Sequence, residues 1–150
     1  MSADTVFTIA NNGILIFWLL LIVAPRWKGT DLLVHSLAVP VIIGLTYTWL
    51  IVRAFTGEGA PGASFSSLAG VMAFFTSPVA ATAGWIHYLV FDLFIGAWES
   101  RDAQRRSVPH WAVIPCLIVT LLAGPAGLLL YLALRAALRK GGWSLRETPA

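Results

Sequence analysis

The chain is poor in charge and nearly devoid of cysteine. Only 11% of its 150 residues are Asp, Glu, Lys or Arg, against 58% hydrophobic. A soluble core of this size needs far more polar surface, so a water-soluble globular domain is excluded. One cysteine, Cys116, lies inside an apolar run. A single thiol makes no intrachain disulfide, and no CxxC or Cys/His ligand spacing exists, so disulfide scaffolds and zinc modules drop out. Cys116 reads as a small packing residue. The net charge of +3 is modest, and no basic stripe alternates with aromatics. Its Lys and Arg read as helix-end residues of a membrane protein, and no nucleic acid is expected as a partner. The N-terminus MSADTVFTI has no basic n-region, no small-residue cleavage site and none of the Arg- and Ser-rich character of a transit peptide. The first apolar segment is therefore expected to stay as an anchor, with a bacterial cytoplasmic membrane as the default location.

What the chain does have is long apolar runs. Four of them, at about 5–24, 32–55, 78–98 and 111–138, suffice to cross roughly 30 Å of hydrocarbon at about 1.5 Å per residue. The expected fold is an all-α membrane protein: a single four-helix transmembrane domain. Ser77-Pro78 reads as a cap followed by proline at the first helical position. Between the second and third runs, SFSSLAGVMAFFTS, about 64–77, is apolar but half a span long. It predicts a short re-entrant or interfacial helix, either a lid over a pocket or a surface linker. Pro40 and Pro125 fall inside spans and predict kinks. Basic residues divide evenly between the two sides, so no orientation follows.

The third run carries two ionisable residues, His87 and Asp92. His87 lies about 13 Å from Pro78, and Asp92 about 9 Å from Trp98. An aspartate near the centre of a span costs about 2.5–3.5 kcal/mol, so it should face the interior and find a donor. Five residues apart, the two sit about 140° apart around the helix and do not pair directly. Trp85, Tyr88, Asp92 and Glu99 fall near one stripe; His87, Phe91, Phe94 and Trp98 fall near the next. Candidate partners on other spans are Tyr47, Thr46, Ser36, Asn11, Asn12 and Tyr131. The pair reads either as a proton donor and acceptor in a lipid-accessible pocket or as interhelical hydrogen bonds worth about 1 kcal/mol each.

His35 and His110 start the second and fourth spans. With His87 they are scattered over different elements, without HxxxH or ExxH spacing, and no metal site is expected. Trp27, Trp98, Trp111 and Trp143 lie at span ends as belt anchors. Trp18, Trp49 and Trp85 lie deeper, where aromatic faces either pack or shelter positive charge.

WIHYLVFDLFIG, residues 85–96, resembles the signature of the abscisic-acid-deficient-four family. Similarity continues in APRW at the end of the first span, in LAVPVII in the second and in GPAGLLLYLAL in the fourth, and so covers nearly the whole chain. Plant members are plastid membrane proteins needed for neoxanthin synthesis. The resemblance implies conversion of the violaxanthin-to-neoxanthin type, an isomerisation without net redox change that calls for an acid, a base and no cofactor. It assigns the motif positions Trp85, His87 and Asp92. The resulting expectation is a membrane-embedded, cofactor-independent isomerase for a carotenoid or related isoprenoid lipid, with His87 and Asp92 catalytic. Trp85, Tyr88, Tyr47, Trp49 and Tyr131 would contact the apolar ligand. The rival is a non-catalytic membrane subunit that binds a pigment or stabilises a partner. The small-residue run Ala80-Ala81-Thr82-Ala83-Gly84 suits internal packing or a homo-oligomer seam.

Overall fold

A computed structural model describes residues 1–141 and Leu145; Trp143 and its expected anchoring role lie outside them. The described residues contain helices and no strand: α1 (Ala3–Val23), α2 (Lys28–Leu33), α3 (Ala38–Arg53), α4 (Leu68–Phe74), α5 (Pro78–Arg105) and α6 (His110–Ala137). A π-helical turn, Ala54–Glu58, prolongs α3. Four segments are long and apolar enough to cross a membrane: Ala3–Val23, Lys28–Glu58, Pro78–Arg105 and His110–Ala137.

Two of these differ from the lengths expected of them. The second is interrupted at residues 34–37, ahead of the expected kink at Pro40, which sits in the first turn of α3. Proline there removes no helical hydrogen bond, and it disfavours helical dihedrals in the residue before it. The third helix does not end near Trp98 but runs on to Arg105, carrying Glu99, Ser100 and Asp102 inside as buried residues.

Local chemistry explains the helix ends. Ser77 Oγ accepts from the Ala80 amide at 3.3 Å and donates to the Glu58 carbonyl at 2.6 Å, with Pro78 next in line. Ser67 caps α4 by accepting from the Gly70 amide at 3.1 Å. At the far end of α5, Ser107 adopts φ 53°, the Val108 amide donates to the Ala103 carbonyl at 2.8 Å and the Ser107 amide to Gln104 at 3.2 Å. Arg139 repeats this left-handed closure after α6, with Lys140 donating to Arg135. Both are Schellman-type stops that satisfy otherwise orphaned carbonyls.

The chain divides into two compact units. The first comprises residues 1–15 and 37–90. Its core is apolar: Val6, Leu50, Ala54, Phe74, Val79, Ala80, Ala83 and Ile86. Small residues of the Ala80–Gly84 run thus serve internal packing. Phe55, Phe65, Phe74 and Phe75 form an aromatic cluster with ring separations of 5.1 to 6.2 Å. Through it α4 is pinned by Phe74, while Leu68 and Met72 face outward.

The second unit comprises residues 16–36 and 91–150. Trp18, Leu21, Leu93, Ala97, Val113, Cys116 and Leu117 are buried there. Gly96 lets the Trp18 indole lie flat on α5, since a Cβ at 96 would stand 2.6 Å from its ring. Half of the apolar window of α5 is buried, against 22% in α1 and 33% in α6. The polar residues of α5 are therefore largely shielded, whereas the other spans present Leu15, Leu19, Ile42, Leu45, Leu122 and Leu129 outward. Outward-facing apolar rows of this kind suit a lipid surround.

Candidate functional site

Asp92, Glu99 and Asp102 recur along α5 at spacings of seven and three, so they share one helix face. All three are buried within the second unit, Asp92 at 8% exposure and the other two at 0%. Their surroundings differ sharply. Asp102 accepts from Tyr131 Oη at 2.7 Å, Arg135 at 3.0 Å and Arg106 Nε at 2.8 Å. Two guanidiniums thus neutralise one carboxylate, and Tyr131 stacks edge-on against Trp98 at 5.7 Å. This arrangement locks an anion in place and fixes α6 against the end of α5.

Glu99 meets a hydroxyl. Its Oε1 and Oε2 lie 3.0 and 3.1 Å from Thr120 Oγ, which has one proton to share between them. Asp92 sits where α6 breaks. Ala123 (φ −152°, ψ 38°) and Gly124 (φ 16°, ψ −85°) leave the helical region immediately before Pro125. A Cβ on Gly124 would collide with Asp92 Oδ1 and stand 3.0 Å from its carboxyl carbon. The bare glycine therefore makes the notch that admits this carboxylate. Gly-Pro supplies the break, because proline offers no amide to the preceding turn.

The first unit holds the aromatic candidates. Trp85 is 40% exposed, and its Nε1 donates to Asn11 Oδ1 at 3.0 Å. Its ring lies 5.9 Å from Phe7 and 5.2 Å from Tyr88. A groove of about 400 Å³ is bordered by Asp4, Phe7, Pro78, Ala81, Thr82 and Trp85. His87 is exposed, with its ring 5.7 Å from Tyr47. Trp49 is exposed as well, under the Arg53 guanidinium at 4.5 Å. Arg53 in turn makes a forked pair with Glu58 at 2.6 and 2.5 Å.

At the other end of the second unit, side chains tie down the end of α1. His110 Nε2 lies 2.8 Å from the Ile22 carbonyl. Thr30 Oγ donates to Ala24 at 2.7 Å, and Gln104 Nε2 to Pro25 at 3.3 Å. These are the carbonyls that a helix terminus leaves unmatched. Among the described residues no three His, Cys, Asp or Glu side chains gather as a metal site.

Asp92 thus lies in a buried polar interior, as a charged residue in a span should, whereas His87 lies at the surface beside Tyr47. Tyr131 is fully buried and engaged with Asp102. Sequence reasoning missed Glu99, Asp102, Thr120, Arg106 and Arg135. The available signal was the spacing of Asp92, Glu99 and Asp102, continued by Arg106 one turn on.

Four membrane-length helices and a row of buried carboxylates define an all-α membrane protein with a polar, proton-bearing interior. The chain belongs to the ABA DEFICIENT 4-like family, whose model matches residues 5–131. It is similar to Protein ABA DEFICIENT 4, chloroplastic, of Arabidopsis thaliana, with 29% identity over 123 residues. That match covers 77% of this chain and 56% of the plant protein, so the chain spans little more than half the length of that relative. No solved structure matches it.

Proposed function

We propose that the chain is a membrane-embedded isomerase that acts, without a cofactor, on a carotenoid or related isoprenoid lipid. The observation that carries this reading is Asp92: a carboxylate 8% exposed within a span, seated in a notch opened by Gly124. Ionisable groups are costly at that depth and are characteristic of proton-handling sites. Family membership supports the substrate class, through the neoxanthin-synthase role of the plant members.

The chemistry balances without redox. An epoxide C–O bond breaks and its oxygen takes a proton. A neighbouring carbon gives up a proton, and the electron pair of that C–H bond becomes the new double bond of an allene. One acid and one base suffice. In this reading Asp92 and His87 are the proton-transfer pair. Trp85, Tyr88, Tyr47 and Trp49 present aromatic surface to the ligand, and Tyr131 acts through its bond to Asp102. The location we propose is the bacterial cytoplasmic membrane.

The rival reading, a pigment-binding or partner-stabilising subunit without catalysis, is favoured by one observation. His87 is exposed and grouped in the first unit, whereas Asp92 is buried in the second. Asp92→Asn and His87→Ala, each purified as inserted and monodisperse protein, separate the two. Catalysis predicts a fall in turnover of about 10²–10⁴-fold for either, read by chromatography of an epoxy-carotenoid substrate. Full turnover in both variants removes these residues from the chemistry. Pigment extracted with the wild-type protein and weighed by mass spectrometry names the ligand.

A further inference from the structure

His35 lies in the break between α2 and α3. Its Nδ1 is 3.0 Å from an Arg101 guanidinium nitrogen, within the second unit. A guanidinium donates and never accepts, so Nδ1 is the acceptor of that bond. The ring's proton is thereby placed on Nε2. That Nε2–H is buried and meets no hydrogen-bond partner among the described residues. Buried donors are matched in the great majority of cases, and each exception asks for an explanation. His110 shows the ordinary outcome, with its Nε2 set on the Ile22 carbonyl.

Two further observations bear on what would match it. The imidazole as a whole is only half-buried, so one edge of the ring remains reachable. The backbone around it, residues 34–37, is non-helical, inside a segment otherwise long enough to span a membrane. Broken helices at membrane depth are tolerated where they are buried in protein or line a cavity, and in transporters they hold the polar part of the substrate. His35 is seven residues from the start of α2, or about 10 Å in, below the level of bulk water.

We infer that His35 Nε2–H is a ligand-binding donor, and that its acceptor is an oxygen (hydroxyl, epoxide or carbonyl) carried by an otherwise apolar isoprenoid lipid. Arg101 is the positioning residue that fixes the tautomer. The inference rests on the isoprenoid reading above but not on any assignment of the catalytic pair. It gives the protein a means to prefer oxygenated over purely hydrocarbon ligands, because a hydrocarbon leaves the donor unmatched.

The test is binding, not turnover. Purified protein in nanodiscs is titrated with a hydroxylated epoxy-carotenoid and with the hydrocarbon β-carotene, for wild type, His35→Phe and His35→Gln. His35→Phe keeps the ring and lacks the donor; His35→Gln keeps an N–H. The expected result is a loss of about fivefold or more in affinity for the oxygenated probe with His35→Phe, and little change for β-carotene. His35→Gln recovers part of the loss. Equal effects on both probes, or none, overturn the inference while leaving the isoprenoid reading intact. A wild type that binds neither probe overturns that reading, and the inference with it. The nanodiscs are made once with ester-linked and once with ether-linked lipid. If the variant alters only the response to that exchange, the acceptor belongs to the bilayer and the inference fails.

Discussion

The two units solve burial in opposite ways. The first closes around Val6, Leu50, Ala54, Phe74, Val79, Ala80, Ala83 and Ile86, and its ion pair, Arg53 with Glu58, stays at the exposed edge. The second takes Asp92, Glu99, Asp102, Thr120 and Arg135 inside. α5 contributes to both: its first thirteen residues add apolar surface and its later ones add carboxylates. Apolar packing alone suffices for a small helical core. Buried charge must be matched donor by donor or kept for chemistry, and the second unit contains both outcomes. Asp102, with three donors, is structural; Asp92, in its glycine notch, is the group reserved for reaction.

The contrast is broken most severely at Asp102. Asp102→Ala leaves Arg135 buried without its carboxylate and should cost about 3–5 kcal/mol. Thermal unfolding in detergent measures it, and a near-wild-type transition would mean that Arg135 has another anion available. Gly124→Ala comes next. Its Cβ must displace Asp92 or α6, an overpacking worth about 1–3 kcal/mol, and turnover should fall more than stability does. If activity and melting temperature drop in proportion, the notch is merely structural. The smallest effect belongs to Glu58→Gln at the exposed edge of the first unit. Exposed pairs contribute little, and salt screens them. Its melting temperature should match that of wild type at physiological salt, and a resolved shift would show that this edge is less open than its exposure implies.

Much of this was legible in the chain before any coordinates. The spans follow from apolar run length, and the start of α5 from Ser77-Pro78. Asp92 stood out because hydrocarbon penalises a carboxylate. The end of α5 was not legible. Glu99, Ser100, Arg101 and Asp102 look like the charged exit from a membrane, and local composition has no means of showing that Thr120, Tyr131 and Arg135 wait for two of them on α6. Nor does composition separate the three histidines. His110 is matched by a carbonyl, His87 is exposed, and His35 has one ring nitrogen engaged and the other unmatched, each outcome set by residues far away in sequence.

The amino-acid order by itself determined that the chain is helical, apolar enough to cross a membrane four times, and a carrier of ionisable groups inside those crossings. Hydropathy and helical periodicity are local quantities, additive along the chain. Only the tertiary structure decided which carboxylate is neutralised, which rests on a bare glycine and which imidazole keeps a donor in reserve. Those outcomes depend on distances of about 3 Å between residues tens of positions apart, and no local pattern encodes them.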